Sequence, residues 1–153
     1  MIGLLQRVTE ASVTVDDEII GEIGPGLAVL IGVQRGDGPE QARRLAERLV
    51  AYRVFADPAG KMNLSLADTG GGLLLIPQFT LAADTRKGNR AGFSRAALPE
   101  RGRELFAALI SSAQETGIRV ATGQFGANMN VSLINQGPVT FWLEVPPSNT
   151  DIS

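Results

Sequence analysis

The chain contains no histidine and no cysteine among its 153 residues. Without cysteine there is no disulfide framework, no thiolate nucleophile and no Cys-ligated zinc, and nothing marks the chain as secreted. Without histidine, Ser-His-Asp relays, Cys-His pairs and His-bearing zinc sites are excluded too. Long apolar runs are also missing. No window approaches the about 18 consecutive apolar residues that span a bilayer, and Met1-Ile-Gly-Leu-Leu-Gln-Arg-Val8 lacks the basic start and apolar stretch of a secretion signal. The expectation is a soluble, cytoplasmic protein. An enzyme of this composition is left with carboxylate or lysine acid/base chemistry, a Thr or Ser with an unusual base, backbone N–H groups that stabilise an oxyanion, or a reactive group carried by the substrate itself.

What is present suits one globular domain with a proper core: 44% of residues are hydrophobic, 20% are charged, and the net charge is −2. Met1 to Thr9 and Ala11 to Val15 read as two strands, with a turn at Asp16-Asp17-Glu18 leading to Ile19-Ile20. Leu27 to Val33 is a near-continuous apolar run, the pattern of a strand covered on both faces. From Pro39 to Tyr52, Ala42, Leu45, Ala46, Leu49 and Val50 recur at helical spacing, and Pro39 suits a first turn. Met62 to Leu66 alternates as a short strand would, and Leu73 to Ile76 forms a second buried run after Gly70-Gly71-Gly72. A second helix is predicted over Pro99 to Thr116, capped by Gly117. Met129 to Ile134 and Val139 to Val145 read as two further strands separated by Asn135-Gln-Gly-Pro138, and residues 146–153 as a loose tail.

Two places are candidates for function. The buried run ending at Ile76 delivers Pro77-Gln78-Phe79-Thr80 to its C-terminal end, where α/β folds tend to bind ligands. Behind it, Arg86, Lys87, Arg90 and Arg95 cluster positive charge in a mildly acidic chain, which suits an anion such as phosphate or an RNA backbone. A solvated surface loop with scattered charges is the competing reading, and spacing alone favours it. The second place is Gly137-Pro138, where a plain hairpin connection with a trans proline competes with a peptide that exposes its carbonyls for close approach. Spacing does not choose between these two.

The segments Gln6-Arg-Val8, Ala11-Ser-Val13, Gly24-Pro-Gly-Leu27, Tyr52-Arg-Val-Phe55, Gly60-Lys-Met-Asn63, Gln78-Phe-Thr-Leu81, Ala83-Asp-Thr85, Phe93-Ser94 and Asn135-Gln-Gly-Pro-Val-Thr140 together resemble the D-aminoacyl-tRNA deacylases. The resemblance runs from Met1 to Val145, with the motifs in the family's order. It implies a single α/β domain over residues 1–145, with mixed β-sheets and two main helices packed on one side in an α/β/β layering. It further implies a homodimer, a tRNA substrate and no metal or cofactor. The implied reaction is hydrolysis of the ester joining a D-amino acid, or glycine mischarged on alanine tRNA, to the terminal adenosine.

By the same resemblance, Gln78, Phe79 and Thr80 form the catalytic segment, and Gly137-Pro138 is a cis unit that one subunit inserts into the other's active site to reject L side chains. Arg7 would hold that unit, Met129 would lie near the pocket, and Arg86, Lys87 and Arg90 would meet the tRNA. An aminoacyl ester carries its own neighbouring ribose 2′-OH, so positioning and backbone donors could suffice without a protein base, with Thr80 as a rival nucleophile. Two departures stand out. Pro77 occupies a position where the family usually has Ser, and Arg90-Ala-Gly-Phe-Ser94 replaces a common Arg-Pro-Ser-Phe-Ser. Pro-Gln is reminiscent of a related branch with relaxed stereochemistry, although Phe79 belongs to the D-specific branch. A related deacylase with relaxed chirality and a non-catalytic RNA-binding module are the alternatives.

Overall fold

The computed structural model describes residues 1–148. The first strand, β1 (Ile2–Val15), is a single strand of 14 residues and not two. Asp16 (φ 49°) and Asp17 (φ 65°) both take the left-handed conformation, so a tight two-residue turn returns the chain as β2 (Glu18–Ile23). Strand β3 (Gly26–Gly32) then pairs antiparallel with the first half of β1, while β2 pairs with its second half. The other edge of β1 is covered over almost its whole length by the last strand, β8 (Asn130–Glu144). Both predicted C-terminal strands belong to this one element, because only residues 136–139 leave the ladder between them.

Two parallel strands extend the sheet, β6 (Gly72–Pro77) against β3 and β7 (Arg119–Thr122) against β6. Between β3 and β6 lie helix α1 (Pro39–Ala51), the small hairpin β4 (Phe55–Ala56) and β5 (Met62–Leu64), and a one-turn helix α2 (Leu66–Thr69). The strand expected over Met62 to Leu66 is therefore shorter. Ser65 interrupts it, because its hydroxyl accepts the Asp68 N–H while the Asp68 carboxylate accepts the Ser65 N–H, a reciprocal cap that starts a helix. Helix α3 (Pro99–Glu115) joins β6 to β7. Strand β7 escaped the sequence reading because its Arg119-Val-Ala-Thr122 is too short and too mixed to show a period.

Helices α1 and α3 pack together on one face of the sheet. Their Leu45, Leu49, Leu105 and Leu109 are fully or almost fully buried against Leu5, Leu27, Val29, Leu73 and Leu75. Along β6 the neighbouring residues Leu74 and Ile76 point the other way, into a second cluster with Val8, Val13, Ile23 and Ala28. This is why both apolar runs are uninterrupted: helices cover one face of β3 and β6, and the curled half of β1 with β2 covers the other. The layering is helix, sheet, sheet within one α/β domain.

At the edge of the main core, the N-terminal ammonium of Met1 is buried and donates to Asp37 Oδ1 (2.9 Å), Gln34 Oε1 (3.2 Å) and the Val145 carbonyl (2.6 Å). Burial pushes the Asp37 carboxyl up and the ammonium down, and their mutual attraction opposes both shifts. Gln41 of α1 donates to the Pro146 carbonyl and the Ser148 hydroxyl, which holds the chain end onto the helix as far as residue 148. The rest of the expected tail, residues 149–153, lies outside the described residues. Asp37→Ala leaves a buried ammonium without its counter-ion, so urea denaturation is expected to show a loss of about 3 kcal/mol. A change under 0.5 kcal/mol contradicts this account.

Candidate active site

Gln78 leaves the sheet with its N–H donating to the Ile31 carbonyl (2.8 Å), and the chain then folds into a 3₁₀ turn over Phe79–Ala82. The turn's own bonds start with Leu81 N–H to the Gln78 carbonyl (3.2 Å) and Ala83 N–H to the Thr80 carbonyl (3.1 Å). The N–H groups of Phe79 and Thr80 precede the first bond, and among the described residues neither donates to a protein acceptor. Gly32 makes the turn's position possible, because a Cβ there would lie 2.8 Å from the Leu81 Cβ.

Thr80 is exposed, and its Oγ1 accepts from Gln78 Nε2. An amide N–H cannot take a proton from a hydroxyl, and among the described residues no carboxylate or amine bonds Thr80. Asp84 offers no general base nearby. Two hydrogen bonds from the Arg86 guanidinium and one from its N–H hold the Asp84 carboxyl far below the usual carboxylate range. What the segment presents is a pair of unpaired backbone donors.

An apolar pocket of about 160 Å³ opens beside these donors, between Ile31, Pro77, Phe79, Phe106 and Phe125. Gly102 of α3 lets Phe125 close the wall, since a Cβ at that position would lie 3.1 Å from its Cζ. The Arg103 guanidinium packs over the Phe125 ring at 5.0 Å. The sequence reading did not find Phe125 or Phe106 as pocket walls, because they are remote from the motif in the chain and Phe106 reads only as part of the apolar stripe of α3.

Pro77 acquires an explanation here. Successive N–H groups on a strand face alternate edges, and that of Gln78 faces β3, so the Pro77 nitrogen faces β7. That ladder ends at Gly123 N–H to the Leu75 carbonyl (2.8 Å). A proline therefore stops the β6 and β7 pairing at the pocket's rim, and costs only the bond that would have come next. Met129 packs at the same corner: a Cβ on Gly123 would lie 2.8 Å from its Sδ and 3.3 Å from Pro77 Cδ.

The second group lies elsewhere. Gln6 pairs with Thr140 and Val8 with Asn135, so residues 136–139 bulge out of β8 opposite the single residue Arg7. Arg7 anchors the bulge by donating from Nε to the Gln136 carbonyl (3.1 Å) and from Nη1 to the Val54 carbonyl (2.8 Å). Asn135 Oδ1 accepts the Val139 N–H (3.0 Å). The Gly137–Pro138 peptide is cis and both residues are exposed, which removes the reading of a trans hairpin connection. Gly137 has φ 131°, and a Cβ there would lie 3.0 Å from Arg7 Nη2.

The structure thus joins Arg7 with Gly137 and Pro138, and separately Gln78 with Phe79 and Thr80, but it does not join the two groups within one chain. Arg7 pairs with Leu27, four residues before Ile31, an offset of about 13 Å along β3. The basic loop is closed by paired bonds between Asp84 and Gly92 (2.7 and 2.9 Å) and borders an open cleft of about 580 Å³. Within it Arg86 is occupied by Asp84, whereas Lys87 and Arg90 have no side-chain partner among the described residues. Phe93, not singled out as a site residue from sequence, lies with its ring 5.2 Å from that of Phe79.

An α/β domain with backbone donors at a sheet end, an adjoining apolar pocket and, among the described residues, no carboxylate or amine bonded to Thr80 suits an ester hydrolase. The sequence profile described as D-Tyr-tRNA(Tyr) deacylase matches residues 4–144, and the chain belongs to that family. The D-aminoacyl-tRNA deacylase of Thioalkalivibrio sulfidiphilus is 67% identical over 147 residues, covering 96% of this chain and 99% of the relative. That of Alkalilimnicola ehrlichii is 63% identical over 148 residues, covering 97% and 99%. Among solved structures, a c-Myc DNA unwinding element binding protein superposes with a TM-score of 0.90 at 36% identity, over 95% of this chain and 99% of that one. A probable eukaryotic D-amino acid tRNA deacylase shares the fold, with a TM-score of 0.80 at 18% identity over 94% and 98%.

Lysine cannot reproduce the two-carbonyl grip of Arg7. Arg7→Lys is expected to speed hydrogen exchange at the Val139 amide at least tenfold while lowering global stability by about 1 kcal/mol. Unchanged exchange at Val139 would show that the bulge does not depend on Arg7.

Proposed function

We propose that this protein hydrolyses the ester of D-aminoacyl-tRNA, releasing free D-amino acid and tRNA, and that it works as a homodimer in the cytoplasm. The observation that carries the reading is the pair of N–H groups at Phe79 and Thr80 that have no protein acceptor among the described residues, beside an apolar pocket. The terminal adenosine enters the pocket, where Phe106 and Phe125 offer apolar contact to the base. The ester carbonyl oxygen then lies at the two donors. Water adds to the carbonyl carbon, the oxygen takes up negative charge, and the N–H groups stabilise it. Collapse of the intermediate breaks the bond to the ribose 3′-oxygen. The neighbouring 2′-OH takes up the proton that the attacking water gives up and passes its own to this oxygen, so water and not Thr80 is the nucleophile.

Chiral selection requires the second group of residues. The exposed bulge at Gly137 and Pro138 is far from its own chain's Gln78 to Thr80, and a two-fold dimer delivers each copy's bulge to the other's site. There its carbonyls oppose an L side chain and leave room for a D side chain. Rejection of this kind has nothing to act on in glycine, so glycyl-tRNA, including alanine tRNA mischarged with glycine, is also a substrate. Arg7 positions the bulge and Met129 shapes the corner beside Pro77. Lys87 and Arg90 meet the tRNA, with Arg86 holding their loop through Asp84.

A second reading rests on Pro77, which ends the β6 and β7 ladder at the pocket rim and fits a deacylase with relaxed chirality. Incubation with D-Tyr-tRNA and L-Tyr-tRNA separates the readings. Rapid loss of the D ester alone supports the first, loss of both supports the second, and loss of neither leaves an RNA-binding module. For the mechanism, Thr80→Ala is expected to keep hydrolysis within about tenfold, whereas a 2′-deoxy terminal adenosine lowers it on the order of 10²-fold. Abolished activity in Thr80→Ala, together with normal cleavage of the 2′-deoxy ester, would make Thr80 the nucleophile.

A further inference from the structure

We infer that the Phe79 and Phe93 rings form a stacking shelf for a nucleotide upstream of the terminal adenosine, with Lys87 and Arg90 as its phosphate-binding rim. This inference rests on the deacylase reading and adds a further binding element to the same site. Two independent observations carry it. The first is an aromatic pair left in the open: Phe79 is 60% and Phe93 44% exposed, although their centroids lie 5.2 Å apart at a tilt of 48°. Two phenylalanines packed on each other but not into a core leave ring surface for a flat ligand. The second is the loop beside them. The paired Asp84 and Gly92 bonds close it, the Asp84 carboxylate consumes Arg86, and Lys87 and Arg90 are left around the open cleft. Arg95 adds a further positive charge close to the same end, near enough to lower the Asp84 carboxyl in addition to Arg86.

Exposed aromatic rings flanked by unpaired cations are the arrangement by which proteins hold single-stranded nucleic acid: each base stacks on a ring, and the backbone follows the charge. The shelf adjoins the donors by construction, because Phe79 supplies one ring and one donor N–H. Phe79 is also one wall of the apolar pocket between Pro77 and Phe125, so a strand whose last nucleotide occupies that pocket has the shelf at its edge. The other ring of the shelf is Phe93.

The test compares two esters of one D-amino acid, one on tRNA and one on free adenosine, which lacks every upstream nucleotide. Phe93→Ala is expected to lower the ratio of kcat/KM on the tRNA ester to that on the adenosine ester about tenfold, mainly through KM, and Phe93→Trp to preserve it. Because removing Phe93 also removes a neighbour of Phe79, a second variant, Lys87→Ala with Arg90→Ala, is read by salt dependence. The slope of log kcat/KM against log salt on the tRNA ester should flatten by about 1.4, or 0.7 for each lost phosphate contact. An unchanged ratio and an unchanged slope overturn the proposal. So does an equal loss on both esters accompanied by dissociation in sedimentation, which would show that a second copy of the chain covers the shelf. If the wild-type protein cleaves neither ester, the deacylase reading itself falls; if it cleaves both and the variants are silent, only the shelf does.

Discussion

Strand β1 is hydrogen-bonded along both edges, and the other sheet elements take their place from it. β8 covers one edge almost from end to end, while β3 and β2 share the other. A strand so enclosed cannot slip, because a one-residue shift would turn Leu5, Val8 and Val13 out of two separate cores. Arg7 sits in the middle of that strand, at a place where the partner strand sets four residues opposite one, three more than a regular ladder would use. The bulge at Gly137 and Pro138 is thus the surplus of one strand measured against a partner that cannot move, and the Arg7 guanidinium fills the space beneath it.

The chain lacks His and Cys, and in the mechanism proposed above its chemistry comes from the main chain. The continuous pairing of β3 with β6 carries Gln78 to a fixed point under the Ile31 carbonyl, and the absence of a side chain at Gly32 lets the following turn settle against the sheet. Both features are packing constraints first. Their by-product is a turn whose first two N–H groups are rigidly held and unspent, which is what oxyanion stabilisation needs.

Much of the scaffold was legible in the sequence, because the elements buried on both faces write continuous apolar runs and the two large helices write a clear period. Helix α3, expected over Pro99 to Thr116, spans Pro99–Glu115, and β3 spans Gly26–Gly32, one residue earlier at each end than the run expected from Leu27 to Val33. Strand β7 and the one-turn helix α2 were hidden, the first by its length and the second by a side-chain cap that no hydrophobic pattern records. At the site, Gln78 to Thr80 and Gly137-Pro138 stand out as motifs. The pocket walls Phe106 and Phe125 do not, because they meet only when α3 folds back over the end of β6. Charge counting also misjudged the loop: four cations in sequence become fewer in space, since Asp84 holds Arg86.

The placement of the two unpaired donors has a genetic consequence. A histidine or serine catalyst can be lost by almost any substitution in its codon, whereas a main-chain N–H is present in nineteen of the twenty amino acids. Changes at positions 79 and 80 can alter shape and affinity, but proline alone deletes the donor. On the proposed mechanism, inactivating lesions should therefore gather at the residues that aim the turn, such as Gly32 beneath Leu81, and side-chain changes at Thr80 should be better tolerated than at Phe79, whose ring also lines the pocket.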